Sequence, residues 1–420
     1  MITGRNIICI ASNWGDHPTS KHHVMRCLAE RNHVLWVNFH ASRCPRLTGR
    51  DARLTLRRLR QVWAGPRQAA PHIDVLSPLV LPLPASPVAR FINARVLARQ
   101  IRRTLRRLPR RPVQLWLFAP DVPELIERLR AERVVYYCVD DFAAFSGYNT
   151  PLVEELERRT MRTSDVVITT SATLYKTRRA QHPCVHLVPH GVDFDHFAAA
   201  ADLPADAVPA DLRTIPRPIF GYMGVISDYV DLDLLARAAR ARPEWSFALL
   251  GDVRCDTRAL SGLGNVHLLG GRPYEQLPAY CRGFDVGLIP FRLNRLTVAV
   301  NPIKLREYLA AGLPVVSAPL DEVQRYAPTV RSAQTLDEFL PACAAALRSA
   351  SEGDRRTRQQ LVRDEGWRSR VELLSDIVEH IRPTPAEEPA LEPAVGQMPV
   401  ARPHGARPAV IPCVSNLGGR

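Results

Sequence analysis

The sequence predicts an α/β protein made of two Rossmann-like domains, and three observations support this fold class. Short, uniformly apolar runs alternate with helix-like stretches, as expected for parallel sheets that are covered on both faces. This rhythm stops at a Pro- and Ala-rich segment, "AAAADLPADAVPADLRTIPRP", and then restarts. The length of 420 residues also suits two α/β domains of ordinary size.

The first domain is predicted over residues 1–200. "NIICIAS" predicts the first strand, "SKHHVMRCLAERN" a helix and "HVLWVNF" the second strand. Further apolar runs predict strands at "VQLWLFAP", "RVVYYCVDD" and "DVVITTS". Because helix-like segments separate these runs, the strands are expected to be parallel and buried on both faces.

The second domain is predicted over residues 201–366. Its expected strands are "IFGYMGVIS", "SFALLGD", "NVHLLGG", "DVGLIPF" and "LPVVSAP". Ligands of doubly wound sheets bind outside the carboxyl ends of the strands. We therefore expect the functional site in the cleft between the two domains.

Two different segments follow the second domain. Residues 367–382 predict an amphipathic helix that docks by one face, because its apolar residues recur at helical spacing. These residues are Trp367, Val371, Leu374, Ile377 and Ile381. Residues 383–420 are rich in Pro and Ala without periodicity, which is typical of a disordered tail.

The composition of the chain argues against a membrane span, a signal peptide, a zinc site and a disulfide framework. No apolar stretch approaches the roughly 20 residues of a membrane span, and the first residues lack the apolar core of a signal peptide. The nine cysteines show no metal-ligand spacing, so we expect neither a zinc site nor a disulfide framework, and a cytoplasmic location. Only three of the 56 basic residues are lysines, at 21, 176 and 304, which singles these lysines out.

The chain has a net charge of +14, and one segment, residues 89–112, interleaves apolar residues with nine arginines. A helix of this kind fits an anionic membrane surface. It equally fits a core-facing helix with a solvated arginine face, and both interpretations stay open. Nucleic-acid binding is not favoured, because recognised motifs are missing and aromatic residues make up only 7% of the chain.

The string "NRLTVAVNPIKLREYLAAGLPVVSAP" predicts a loop that ends at Asn301 and a helix that ends at Gly312. Pro302 suits the first helical turn, and Gly312 suits the stop. The helix N-terminus would attract an anion such as a diphosphate, and Lys304 would add a positive charge. Glu307 lies one turn further on and could accept hydrogen bonds from a ribose diol, although spacing alone favours a surface Lys–Glu pair.

Four motifs together resemble the GT-B class of glycosyltransferases. They are this string, "VPHGVDFDHF" at 188–197, "NVHLLGGRPYEQLPAYCRGFDVGLIPF" at 265–291 and the opening "SNWGDHPTSKHHVMRCLAERNHVLWVN". The resemblance is strongest to group 1 enzymes of bacterial cell-surface polysaccharide synthesis and extends nearly to residue 382. It implies two facing domains, with a final helix that crosses back onto the first.

The resemblance also implies a nucleoside diphosphate sugar, UDP-linked, in the C-terminal domain. Lys304 would contact the diphosphate or a sugar carboxylate, Glu307 the ribose, and Gly224 would let the chain approach the phosphates. The loop around Arg272 and Tyr274 would flank the base. The full set of implied donor-binding residues is Gly224, Arg272, Tyr274, Asn301, Ile303, Lys304 and Glu307. No metal or other cofactor is expected, because the helix dipole and Lys304 can stabilise a leaving diphosphate.

Two departures leave the stereochemical outcome open. The retaining branch of the class carries two glutamates spaced E-x7-E, and here Ala299 stands in the first position. That branch also has an Arg and a Lys after the glycine loop, whereas the acidic segment "VISDYVDLD" follows Gly224.

Asp140 and Asp141 follow a predicted strand and are candidate catalytic bases. A carboxylate there could take the proton from an acceptor hydroxyl. The arrangement resembles the xanthan glucuronosyltransferases, which are inverting, lack the glutamate pair and have an aspartate at a similar place. The alternative is that the pair caps a helix.

The loop "NWGDHPTSKHH" supplies a further candidate base, which is either Asp16 or His17. The alternative interpretation makes Asp16 or Thr19 the cap of a helix that begins near Ser20. On that interpretation His22 is a surface residue.

The predicted function is therefore a cytoplasmic glycosyltransferase at the inner face of the cell membrane, with a lipid-linked or polysaccharide acceptor. One alternative is a sugar-nucleotide 2-epimerase on the same fold, which needs no acceptor. The other is a basic nucleic-acid-binding protein without enzymatic activity.

Overall fold

The computed structural model describes residues 1–39, 65–81, 83–349 and 351–381, and its framework is two β-sheets. The strands of the first sheet are β1 Asn6–Ala11, β2 His33–Asn38, β3 Arg67–Ala70, β4 Ile73–Leu76, β5 Val113–Leu117, β6 Arg133–Cys138, β7 Val166–Thr169 and β8 Val185–Leu187. Their spatial order is β3-β4-β2-β1-β5-β6-β7-β8. All neighbours are parallel except β3, which runs antiparallel to β4.

Helices cover both faces of this sheet. They are α1 Ser20–Ala29, α2 Pro87–Leu105, α3 Pro123–Leu129, α4 Thr150–Arg162 and α5 Ala172–Arg179. One apolar core includes Val24 and Leu28 of α1, and a second includes Leu97 and Ile101 of α2. The uniformly apolar strands are thus buried on both faces, as the sequence predicts.

The second sheet is entirely parallel, in the order β11-β10-β9-β12-β13-β14. Its strands are β9 Ile219–Met223, β10 Ser246–Leu250, β11 Val266–Leu268, β12 Val286–Ile289, β13 Val315–Ser317 and β14 Val330–Ser332. The helices around it are α6 Phe194–Ala198, α7 Ala210–Arg213, α8 Leu232–Ala241, α9 Leu277–Gly283, α10 Ile303–Ala310, α11 Asp321–Gln324, α12 Leu336–Leu347 and α13 Glu352–Val362.

The Pro- and Ala-rich segment between the sheets is not a bare connector. Phe197 and Leu212 are fully buried in the core of the second sheet, and Val192 already belongs to that core. Val188 still packs with the first sheet. The chain therefore passes from one core to the other between Val188 and Val192.

The predicted crossover helix is confirmed as α14 Trp367–His380. Its buried side chains, which include Trp367 and Leu374, pack in the same core as α1 of the first domain. The crossing point is tight, because a Cβ at Gly191 would lie 2.9 Å from Trp367. A backbone bridge between Val192 and Gly366 joins the two crossings of the chain.

Three further sequence expectations concern the cysteines, membrane-spanning helices and the tail. The seven cysteines in the described residues are free thiols. None of the described helices is both long enough and apolar enough to span a membrane. The tail predicted over 383–420 lies outside the described residues.

Candidate functional site

Helix α10 presents Lys304 at the carboxyl edge of the second sheet. The helix begins after Pro302, and Gly312, with φ of +75°, follows its end, as the sequence predicts. The Lys304 ammonium lies 5.6 Å from the ring centroid of Tyr222. A Cβ at Gly224 would lie 2.8 Å from the Lys304 Nζ, and the φ of +140° there also disfavours any other residue. The loop at Gly224, called the glycine loop below, therefore packs directly against the Lys304 side chain.

Lys304 is partly buried and forms no ion pair with any described residue. Burial lowers the pKa of its ammonium, and the charges of Glu307 and Asp140 oppose that shift. A desolvated cation without a counter-ion gains most from an anionic ligand. This position at a helix N-terminus suits a phosphate.

Glu307 lies on the same helix and is also partly buried. Burial raises the pKa of its carboxyl to about 7, with Lys304 lowering it and Asp193 raising it. Asp193 belongs to the motif at 188–197, so the structure brings two of the sequence motifs together. The Glu307 carboxyl can exchange hydrogen bonds with ligand hydroxyls in either protonation state.

Asp140 follows β6 and faces this site from the first domain. Burial raises the pKa of its carboxyl to about 7, against the lowering effects of Lys21 and Lys304, while Asp141 raises it further. Burial also raises the pKa of Tyr229 to about 12, and the charge of Asp140 adds to that rise. Lys304 and Tyr229 belong to the second domain, so the charge of Asp140 acts across the cleft on both.

Asp141 has a different environment from its neighbour. It is 5% exposed, and its carboxylate pairs with Arg178 at 3.3 Å and with Arg295 at 2.7 Å. Arg295 comes from the second domain, so this pair is a contact between the domains. Asp140 has no ion pair among the described residues, which leaves its carboxylate available to a ligand.

The loop after β1 also reaches the cleft. Asp16 is exposed and accepts a hydrogen bond from the Asn13 Nδ2 at 3.1 Å. The His17 ring lies 5.6 Å from the Tyr274 ring of the other domain. Desolvation by the surrounding protein lowers the pKa of His17, and the charge of Lys304 lowers it further.

The cap of α1 is Thr19, whose side chain takes part in a capping box with His22. The prediction that His22 is a surface residue is wrong, because His22 is 1% exposed and packs on Trp36. Burial lowers its pKa to about 3. The sequence did not predict the burial of His22, because its packing partner Trp36 lies on β2, outside the local pattern of α1.

Asn301 and Ile303 connect the two domains. The buried Asn301 donates from Nδ2 to the carbonyl of Thr170 at 2.7 Å and accepts from Arg306 Nη1 at 2.6 Å. Ile303 packs against the core of the first domain. Their predicted contact with the donor stays a prediction, while their structural contacts hold α10 against the first domain.

Arg306 anchors this junction. It is fully buried, and its Nε pairs with Glu365 Oε2 at 2.6 Å. We expect Arg306→Met to lower the free energy of unfolding by about 3 kcal/mol, because it removes the buried cation that pairs with the Glu365 carboxylate and donates to Asn301 Oδ1. Urea titration of wild type and variant would measure this, with the exposed Arg237→Met as the matched control. A loss no larger than in the control would contradict the prediction.

Arg272 and Tyr274 are both engaged with protein. Arg272 donates to Tyr280 Oη at 2.7 Å and to Asp211 Oδ2 at 2.7 Å. The Tyr274 ring is 8% exposed and stacks on His196 at 4.6 Å between centroids. They shape the loop after β11, and their predicted contact with a base stays a prediction.

Lys21 and Tyr229 are site residues that the sequence argument did not assign. Lys21 lies in the first turn of α1. Its charge and that of Lys304, which belongs to the other domain, both lower the pKa of Asp140. The scarcity of lysine was the available signal, since two of the three lysines border this carboxylate. The third, Lys176, is exposed.

Comparisons with known proteins show what this chain is similar to. Residues 217–379 match the family described as Glycosyl transferases group 1. TuaH of Bacillus subtilis strain 168, a protein named for a glycosyltransferase role in teichuronic acid biosynthesis, is 28% identical over 276 residues, which cover 60% of this chain and 68% of TuaH.

Two solved structures share the fold at low sequence identity. The sucrose-phosphate synthase of Thermosynechococcus elongatus has a TM-score of 0.64 at 16% identity and covers 89% of this chain and 98% of its own. Anabaena HepE, solved in complex with UDP and glucose, has a TM-score of 0.61 at 12% identity and covers 89% of this chain and 99% of its own. These similarities confirm the fold class that the sequence predicts.

Proposed function

We propose that this chain, a glycosyltransferase with the GT-B fold, transfers a sugar from a UDP-linked donor to a lipid-linked or glycan acceptor in cell-surface polysaccharide synthesis. The observation that carries the proposal is that two charged groups without ion pairs lie on the two sides of the cleft. Lys304 offers an ammonium without a counter-ion at a helix N-terminus, and Asp140 offers a carboxylate without an ion pair on the opposite side.

The donor half of the proposal rests on α10 and the glycine loop. The N–H groups of the first turn of α10 and Lys304 would bind the diphosphate, with Gly224 allowing close approach. Glu307 would hold the ribose hydroxyls. The UDP complex of HepE supports the choice of nucleotide, and the teichuronic acid role of TuaH supports a polysaccharide product.

The acceptor half rests on Asp140. Its carboxylate would accept the proton of an acceptor hydroxyl while that oxygen forms a bond to the anomeric carbon. The bond from the anomeric carbon to the diphosphate breaks in the same step, and its electron pair leaves with the diphosphate. Lys304 and the helix dipole would stabilise the departing charge, so the proposed step needs no metal. A single displacement of this kind inverts the anomeric centre.

We place this reaction at the inner face of the cell membrane, with the chain as a peripheral protein. A lipid-linked acceptor remains anchored in the bilayer, so an enzyme that uses it has to work at that surface.

The first experiment is calorimetric titration of the full chain with UDP, GDP, dTDP and ADP at moderate salt, which screens non-specific attraction to arginine. We expect selective binding of UDP. Sugar-nucleotide incubations with and without a polyprenyl-diphosphate-linked glycan then test transfer. Sugar release that depends on the acceptor supports the proposal, whereas an epimerised donor without acceptor favours the 2-epimerase. A wild-type chain that binds none of the nucleotides contradicts the donor site.

A further inference from the structure

One segment of the first domain exposes an unusual amount of apolar surface. Six of the twelve exposed large apolar residues in the described part of the chain fall between positions 79 and 92. We call them the apolar ridge: Leu79, Leu81, Leu83, Val88, Phe91 and Ile92. Their exposed fractions run from 41% for Ile92 to 67% for Val88. Exposed apolar residues grouped in one segment indicate an interaction site.

The ridge is held in place by the helix beside it. The N–H of Leu81 donates to Asn93 Oδ1 at 2.7 Å, and Asn93 Nδ2 donates back to the carbonyl of Leu81 at 2.9 Å. Asn93 is 6% exposed, and Arg90 donates to the carbonyl of Pro84 at 2.9 Å. Val80 packs inward against the core. The leucines are therefore exposed on an anchored backbone.

An arginine-lined groove lies next to the ridge along α2. Its volume is about 670 Å³, and it is lined by Arg95, Ala98, Arg99, Arg102, Arg103, Arg106 and Arg128. None of these arginines pairs with a carboxylate of the described residues. Residues 87–112 contain nine arginines and no acidic residue, so the charge of this face is uncompensated within the helix. We call it the arginine groove.

Phe91 joins the two features. The guanidinium of Arg95 lies 4.4 Å from the centroid of the Phe91 ring, and that of Arg128 lies 5.0 Å from it. On the other side of α2, Leu97 and Ile101 are fully buried in the core. The helix orientation is thus fixed by the core, with the ridge and the groove left side by side on the surface.

We propose that the apolar ridge and the arginine groove together bind the surface of an anionic phospholipid bilayer. The arginines would contact lipid phosphates, and the ridge would enter the interface between headgroups and acyl chains. A free phosphate would use only the arginines, and a nucleic acid could in addition stack a base on Phe91, but neither would use the five exposed aliphatic side chains. This inference rests on the proposed function in one respect: membrane binding would bring the cleft to a lipid-linked acceptor.

The test is sedimentation of the full chain with vesicles of phosphatidylcholine alone and of phosphatidylcholine mixed with phosphatidylglycerol. We expect binding to the mixed vesicles that weakens as salt rises, because the Debye length shortens. Binding that does not depend on the anionic lipid would overturn the proposal.

Two double variants test the arginine groove and the apolar ridge separately. Arg99→Glu with Arg103→Glu is expected to weaken binding to the mixed vesicles about tenfold or more. Leu79→Ser with Leu83→Ser is expected to weaken it several-fold, since two apolar side chains leave the interface. The matched controls are the exposed pairs Arg213→Glu with Arg237→Glu and Leu361→Ser with Leu373→Ser, which should bind as wild type does.

Equal effects of groove and control variants would overturn the proposal, because charge alone would then explain binding. Loss of binding to a single-stranded oligonucleotide in the arginine variant, with vesicle binding intact, would overturn it in favour of nucleic acid. Calorimetric UDP binding by the same variants keeps the two proposals apart. Lost vesicle binding with intact UDP binding supports the docking surface, and it does so whether or not sugar transfer is later detected.

Discussion

Replacing Asp140 with asparagine is expected to lower turnover by about 10²–10⁴-fold, because the amide cannot accept the acceptor proton. Donor binding should change little, since Asp140 belongs to the opposite domain. Initial rates at saturating donor, together with calorimetric UDP binding, measure the two effects separately. Wild-type turnover in the variant would remove Asp140 from the mechanism.

The pH profile provides a second readout of the same variant. A general base has to be ionised, and burial raises the pKa of Asp140 to about 7. Wild-type kcat/KM should therefore rise about tenfold per pH unit below pH 7 and level off above it. The variant should lack this rise. Asp141→Asn is the matched control, and it should keep the rise but with its midpoint at lower pH, because the charge of Asp141 contributes to the raised pKa of Asp140.

The stability of Asp140→Asn shows whether a low turnover comes from the missing base or from unfolding. A raised pKa means that the folded state binds the Asp140 proton more tightly than the unfolded state does. The contribution of this group is therefore present at low pH and is lost as pH rises towards 7. Asp140→Asn removes that loss, so the variant should be at least as stable as wild type at pH 8. A strongly destabilised variant would mean that its low turnover reports unfolding.

Replacing Lys304 with alanine is expected to weaken UDP binding about tenfold or more, which corresponds to about 1.4 kcal/mol. The ammonium has no counter-ion among the described residues, so its interaction with a diphosphate is not offset by a broken ion pair. Turnover should fall further than affinity, because negative charge develops on the diphosphate as it leaves. Calorimetry at moderate salt and initial rates would measure both quantities.

Lys176→Ala is the control for the lysine experiment. Lys176 is exposed on α5, so its removal should change neither UDP affinity nor turnover. Equal UDP affinity in wild type and Lys304→Ala would show that the diphosphate is held elsewhere. The proposed donor site would then be wrong, even though the fold would stand.

Local signals were sufficient for the elements that carry the site. Pro302 and Gly312 predict the ends of α10, and the structure confirms a helix between them. The apolar spacing of α14 predicts its docked face, because the repeat of one helix determines which side chains share a face. The strands β3, β4, β8 and β14 were not predicted, although β11 and β13, which are equally short, were.

The choice between Asp140 and Asp141 shows where sequence reasoning stops. The two residues are adjacent and chemically identical, and both follow the same strand. Their difference comes from Arg178 and Arg295, which are 37 and 154 positions away from Asp141 along the chain. Only folding brings these arginines to one carboxylate and leaves the other beside Lys304.

The sequence by itself determined the fold class, the docked face of α14 and the helix that carries Lys304 and Glu307, because these depend on local patterning and turn chemistry. The tertiary structure decided which carboxylate is free, that His22 is buried, and that an apolar ridge borders the arginine groove. These properties depend on partners that are distant in the chain, and burial and charge act through space rather than along the sequence.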